Sequence, residues 1–131
     1  MPLRHTNPGA FVGLFNSRFK NVTAKTANYT VTNNESGSIF TNQAATALVV
    51  FTLPAKESGL WYVFFSVEAQ TLTVAADTAD TIATFNDIAA DNVSIETANQ
   101  KVGSGFWVVC DATNWIAMPL VSVGATLTVG T

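Results

Sequence analysis

From Tyr29 onward the chain alternates between apolar and polar residues with a period of two. Tyr29, Val31 and Asn33 alternate with Thr30 and Thr32, and Asn33-Asn34-Glu35-Ser36-Gly37 then supplies turn residues ahead of Ser38–Phe40. The densest apolar stretch follows at Ala47–Val67, where Leu48–Leu53 and Leu60–Val67 flank a polar segment containing Pro54 and Gly59. Two strand-like runs around such a segment predict a hairpin. Alternation places Trp61, Val63, Phe65 and Val67 on one face of its second arm and Tyr62, Phe64 and Ser66 on the other. Both faces are largely apolar. That suits a central strand covered on its second side by another sheet or another subunit, because a half-solvated strand would alternate cleanly with polar residues. Trp61, Tyr62 and Phe64 are therefore the subunit-interface candidates.

Further short strands are predicted at Thr71–Ala75, Thr81–Phe85 and Val93–Thr97, with turns at Ala76-Asp77, Asn86-Asp87 and Ala98-Asn99. Between them, Ile88-Ala89-Ala90-Asp91 is compatible with one helical turn. A second hairpin pairs Phe106–Cys110 with Trp115–Met118 through Asp111-Ala112-Thr113-Asn114, with Trp107, Val109, Trp115 and Ala117 as cross-strand candidates. A last strand at Ala125–Val129 repeats the Thr-Leu-Thr-Val of Thr71–Val74, too short a match to infer an internal repeat. Strands spaced about ten residues apart, without a long amphipathic helix, predict an all-β domain over residues 28–131. Its expected form is a compact sandwich or barrel of about 8–10 short antiparallel strands.

Residues 1–27 read differently. Asn7-Pro8 can open a short helix with Phe11, Leu14, Phe15 and Phe19 at one-face spacing, but Gly9 and Gly13 weaken it, so a loosely structured N-terminal arm is expected. Arg4, Arg18, Lys20 and Lys25 lie in the first 25 residues, which hold no acid; the remainder carries two basic residues and all nine acids. A positive arm on a negative body points to a negatively charged partner, or to an arm lying back on its own body. Four large apolar residues on so short a segment also need a cover, either this domain's core or a partner. Arg4, Phe11, Leu14, Phe15, Arg18, Phe19 and Lys20 are the docking candidates.

The chain has 131 residues, enough for one domain without a disulfide or metal staple. Charged residues make up 11% of it, against roughly 25% in an ordinary soluble domain, so the surface draws its polarity from Thr, Asn and Ser. No apolar run approaches the roughly 18 residues that a membrane-spanning helix needs, and the start MPLRHTNPG lacks a signal peptide's apolar core. A soluble chain, with neither membrane partner nor signal-directed export, is expected.

Little in the sequence suggests chemistry. A single His, His5, excludes a His-based metal cluster, and the single Cys, Cys110, sits in an apolar run as a small hydrophobe. Gly103-Ser104-Gly105 precedes a strand rather than a helix and is a turn, not a phosphate cradle. Asp77, Asp80, Asp87 and Asp91 could in principle hold calcium or act as a carboxylate pair, but turn and cap roles account for them more simply. The acidic body does not support nucleic-acid binding. No enzyme activity, cofactor or metal is expected.

The succession Tyr29-Thr-Val-Thr, Phe40-Thr-Asn, Phe51-Thr-Leu-Pro54, Gly59-Leu-Trp-Tyr-Val-Phe-Phe, Leu72-Thr-Val and Val108-Val-Cys-Asp-Ala-Thr-Asn-Trp115 resembles a β-rich module of tailed-bacteriophage structural proteins. In that module a TLP…G…Y.F hairpin precedes a V.C.GTNW hairpin, and it is found in capsid decoration proteins, head fibres and tail fibres. The resemblance spans residues 28–119, with Ala112 where the pattern has Gly and without the Gly-Trp ending. It implies a non-enzymatic role in an oligomer, commonly a trimer. The expected function is a capsid decoration or cement protein on the virion surface, with the major capsid protein and further copies of itself as partners. The alternative is a tail-fibre or adhesin-type carbohydrate-binding module using Trp61, Trp107 and Trp115.

Overall fold

The computed structural model describes residues 20–96, 102–121, 124 and 126–131. Within them the alternating segments form twelve strands in two sheets. One sheet holds, side by side, β1 (Val22–Ala24), β3 (Ile39–Thr41), β5 (Trp61–Phe65), β10 (Gly105–Cys110), β11 (Trp115–Leu120), β7 (Ile82–Thr84) and β8 (Asp87–Ala90). The other runs β12 (Leu127–Gly130), β9 (Asn92–Ile95), β6 (Leu72–Ala75), β4 (Val49–Thr52) and β2 (Tyr29–Thr30). This is an all-β sandwich, as the alternation predicts.

The pairing departs from the antiparallel expectation. The β1–β3, β3–β5, β2–β4, β4–β6 and β7–β11 pairs are parallel. For the first four of these the cause is the path of the chain, which from β1 to β6 crosses to the opposite sheet after every strand. Each sheet thus receives every second strand, always running the same way. A parallel neighbour requires a long crossover, and here the intervening strand of the other sheet provides it.

The expected hairpin at Ala47–Val67 is accordingly an arch. β4 lies in one sheet and β5 in the other, and Leu53 and Leu60, at the two ends of the connection, are both buried. Burying both leucines closes one end of the core, and the carbonyl of Pro54 on the same connection accepts the indole N–H of Trp115 at 3.3 Å. The second hairpin forms as expected, with Cys110 opposite Trp115 and Val108 opposite Ala117. Trp107 and Trp115, however, point to opposite faces, since Trp115 stands opposite Cys110, an odd three positions along β10 from Trp107. Ile88–Ala90 belongs to strand β8 rather than a helical turn. Phe85 and Asn86 before it both have positive φ, 44° and 66°, as a tight two-residue hairpin turn requires.

The core lies between the sheets. Phe40, Tyr62, Phe64, Phe106, Val108 and Trp115 from the larger sheet meet Val49, Phe51, Leu72, Val74, Val93 and Ile95 from the smaller, all buried. Phe51 and Phe64 join the layers with ring centroids 5.0 Å apart. The Tyr62 hydroxyl donates to the Thr32 carbonyl at 2.8 Å; burial, then the nearby acids Glu35 and Glu57, push its pKa up to about 12, so it stays protonated as that bond needs. Buried Asn42 serves the next loop, its Oδ1 accepting from the N–H groups of Val67 at 2.8 Å and Glu68 at 3.0 Å. The repeated Thr-Leu-Thr-Val tetrapeptides flank β9 on its two sides. Leu72 and Leu127 both stand opposite Ile95, and Val74 and Val129 both stand opposite Val93. The same four residues answer the same packing requirement twice.

Candidate functional site

The alternation that buries Tyr62 and Phe64 turns the intervening residues of the larger sheet outward. The strand register aligns Val22, Ile39, Val63, Trp107 and Met118 in one row across five strands. A second row contains Ala24, Thr41, Phe65, Gly105 and Leu120, and a third contains Trp61, Val109, Ile116 and Ala83. None of these positions is charged, and only Thr41 is polar. Trp107 is 44% exposed and Leu120 41%, which is high for large apolar side chains in a sheet interior.

Glycines shape this face at two points. A Cβ on Gly105 would overlap the Phe64 carbonyl and lie 2.6 Å from Phe65 Cδ1, so the missing side chain makes room for the Phe65 ring. At Gly37, where φ is +90°, the Cβ position lies 3.6 Å from Trp61 Cζ2 and 3.8 Å from Lys20 Cβ. The Trp61 indole thus leans toward the start of β1 and toward the stem of Lys20. Between the rows lies an apolar groove of about 250 Å³, lined by Trp61, Val63, Phe65, Trp107 and Leu120. Its two indoles meet edge to face, with centroids 6.2 Å apart and planes at 61°.

The outer face of the smaller sheet has the opposite character. Its rows read Val50, Thr73, Ser94, Thr128 and Thr30, Thr52, Ala75, Asn92, Gly130. Thr73 and Ser94 hydrogen-bond through their hydroxyls at 2.7 Å. The molecule is therefore a plate with one hydroxyl-rich face and one apolar face.

Of the acids considered for metal or catalysis, the carboxylates of Asp77, Asp80 and Asp87 are occupied locally. Asp80 Oδ2 accepts the Lys56 N–H at 3.1 Å and Oδ1 pairs with Lys56 Nζ at 3.4 Å. Asp77 accepts from Thr78 N and Asp87 from Ala89 N, each at 2.8 Å. Asp77, Asp80 and Asp91 border a shallow cavity of about 360 Å³, yet among the described residues no His, Cys, Asp and Glu group has a metal-binding arrangement. Glu35 closes a small network, accepting from Tyr29 Oη at 2.8 Å and from Thr32 N at 2.9 Å, with Lys25 over the Tyr29 ring at 3.6 Å. Cys110 is a buried free thiol.

Of the interface candidates, Tyr62 and Phe64 are wholly inside the chain's own core and offer no side-chain surface to a second subunit. The sequence left open whether another sheet or another subunit covers the second face of β5, and the opposite sheet fills the face of Tyr62 and Phe64. Trp61 does lie on the outer face, where Val63, Phe65, Trp107 and Leu120 join it. Trp107 and Leu120 carry the alternation signal in the sequence, but only the β5–β10–β11 register places them beside Trp61. Among the docking candidates, Arg4, Phe11, Leu14, Phe15, Arg18 and Phe19 lie outside the described residues. Lys20 is exposed, its N–H donating to the Gly37 carbonyl at 2.9 Å and its ammonium to the Asn34 carbonyl. Val22–Ala24, expected within the arm, pairs with β3 as an edge strand, so the sheet begins before residue 28. The sequence matches no known protein-family model and no curated protein.

Proposed function

We propose that this chain is a capsid decoration protein of a tailed bacteriophage, attached to the outside of the shell through the apolar outer face of its larger sheet. The observation that carries the reading is the contrast between the two outer faces. An uncharged apolar surface five strands wide is suited to contact with protein, because it can be desolvated without stripping ions. The opposite threonine-rich surface is suited to water. The phage resemblance supplies the partner, the major capsid protein, and the trimeric assembly; sedimentation of the purified protein tests the assembly separately.

The carbohydrate-binding alternative fits this surface less well. A sugar site needs polar groups beside a stacking ring to receive its hydroxyls, and the groove is lined by apolar side chains with its indoles set edge to face. Binding to shells that lack the protein tests the proposal. Trp107→Glu places a charge at the centre of the face and should weaken binding by at least roughly 30-fold, the loss of one interface hot spot, whereas Thr73→Glu on the other face should leave it unchanged. Equal binding by both variants, or loss only with Thr73→Glu, contradicts the proposal.

A further inference from the structure

We infer that in the free protein the apolar outer face pairs with the same face of a second copy, Trp107 of each copy filling the groove of the other. The groove exists because two side chains of β5 lean apart. Trp61 extends toward Gly37 ahead of β3 and Phe65 toward Gly105 on β10, each over a residue without a Cβ, which leaves Val63 between them as the floor. A cavity of roughly 150 Å³ is enough for benzene, so the groove, at about 250 Å³, holds the two rings of an indole.

The register supplies that indole. Trp107 stands opposite Val63 on the neighbouring strand and Trp61 stands opposite Val109, so bulky and small residues alternate between β5 and β10. A two-fold axis in the plane of the face, parallel to the strands and midway between β5 and β10, lays β5 of one copy over β10 of the other. Trp107 then meets Val63 of the second copy and Trp61 meets Val109, and the two-fold repeats both contacts. An axis running across the strands at the level of Trp107 would instead set Trp107 against Trp107 and Trp61 against Phe65, bulk against bulk. The favoured arrangement is aligned sheet packing, with the layers about 10 Å apart. No ion is buried in it, because the rows that meet hold no charge and the two-fold keeps the Lys20 residues at opposite rims.

Five strand spacings by three two-residue steps give roughly 500 Å² per copy, the size of reversible contacts. Pairing and capsid docking use the same face, so a shell competes with the second copy for it. The inference concerns the free chain and holds whether or not the face later meets a shell. If the chain is a trimer with its faces turned the same way, the same two-folds stack two trimers, and the mass doubles in either case.

Sedimentation equilibrium of the full chain reads the pairing. The mass at about 100 µM should be twice that at about 1 µM, as for a contact of micromolar strength. Trp107→Ala should move the midpoint at least about tenfold higher in concentration, since a central indole is lost, and Thr73→Glu on the opposite face should leave it unchanged. Cross-linking reads the register. Ile39→Cys and Met118→Cys are made in separate chains, each with Cys110 replaced by Ala, because the two-fold places Ile39 over Met118 of the second copy. A thiol cross-linker spanning about 10 Å should join the mixed chains at least about fivefold more than either chain alone, whose like cysteines lie about 14 Å farther apart sideways. A chain that forms no even-numbered assembly by about 100 µM overturns the inference. Association of Trp107→Ala equal to that of the unaltered chain, or equal cross-linking in mixed and unmixed chains, also overturns it.

Discussion

Replacing Ala112 with Gly should stabilise the protein. Ala112 sits in the turn between β10 and β11 with φ of +77°, a left-handed conformation that disfavours any residue with a Cβ. The turn holds it there because the Asp111 carboxylate accepts the N–H of Thr113 at 2.9 Å and of Asn114 at 2.6 Å, and Asp111 N bonds back to the Asn114 carbonyl. An alanine in that region costs about 1–2 kcal/mol. Glycine removes this strain but brings extra freedom in the unfolded chain, worth about 0.5–1 kcal/mol in the opposite direction. Ala112 is exposed, so no packing is lost. The net expectation is a gain of about 0.5–1 kcal/mol, or about 2–4 °C in Tm for a domain of this size. Urea unfolding followed by near-ultraviolet circular dichroism measures it. An unchanged or lowered midpoint with unaltered slope would refute the reasoning, because Ala112 would then not be held at positive φ in solution.

Gly105→Ala should destabilise by about 3 kcal/mol or more, since the new methyl meets the Phe64 backbone and the Phe65 ring; thermal denaturation would show it as a large fall in Tm. Asn42→Ala strands the N–H groups of Val67 and Glu68 beside a buried position, and about 2–4 kcal/mol should be lost in equilibrium unfolding. Burial raises the pKa of Glu35, but hydrogen bonds from Thr32 and Tyr29, with Lys25 nearby, outweigh it and hold the carboxyl below its ordinary value. Its contribution is therefore present above the ordinary carboxylate range and lost as pH falls through the lowered pKa, so Glu35→Gln should flatten that part of the acid limb in a stability-versus-pH titration.

The alternation of residues was enough to read the strands and the sandwich class, because burial of one face imposes a period of two wherever a strand forms. It also separated the two faces of β5 correctly. The partner of each strand was not legible. Leu48–Leu53 and Leu60–Val67 look like a hairpin because both are apolar and a Pro/Gly segment lies between them. An arch between sheets has the same local signature, and only the burial of Leu53 and Leu60 tells them apart. The parallel pairing follows from that long-range winding, which no local pattern encodes. For the same reason Trp61 was recognisable as a surface candidate, while its neighbours Trp107 and Leu120, more than forty residues away, required the register. Ala112 stands at a turn position with φ of +77°, a conformation that favours glycine and that the residue's identity alone does not reveal.

The central claim is that one face of the plate meets the capsid, and electron cryo-microscopy of the assembled virion tests it most directly. Density for this sandwich is expected at repeated lattice positions on the shell, with the row Val22, Ile39, Val63, Trp107 and Met118 turned toward the major capsid protein and the Thr73, Ser94 and Thr128 row turned to solvent. Density confined to the tail, or a lattice-bound sandwich with the threonine face against the shell, would contradict it.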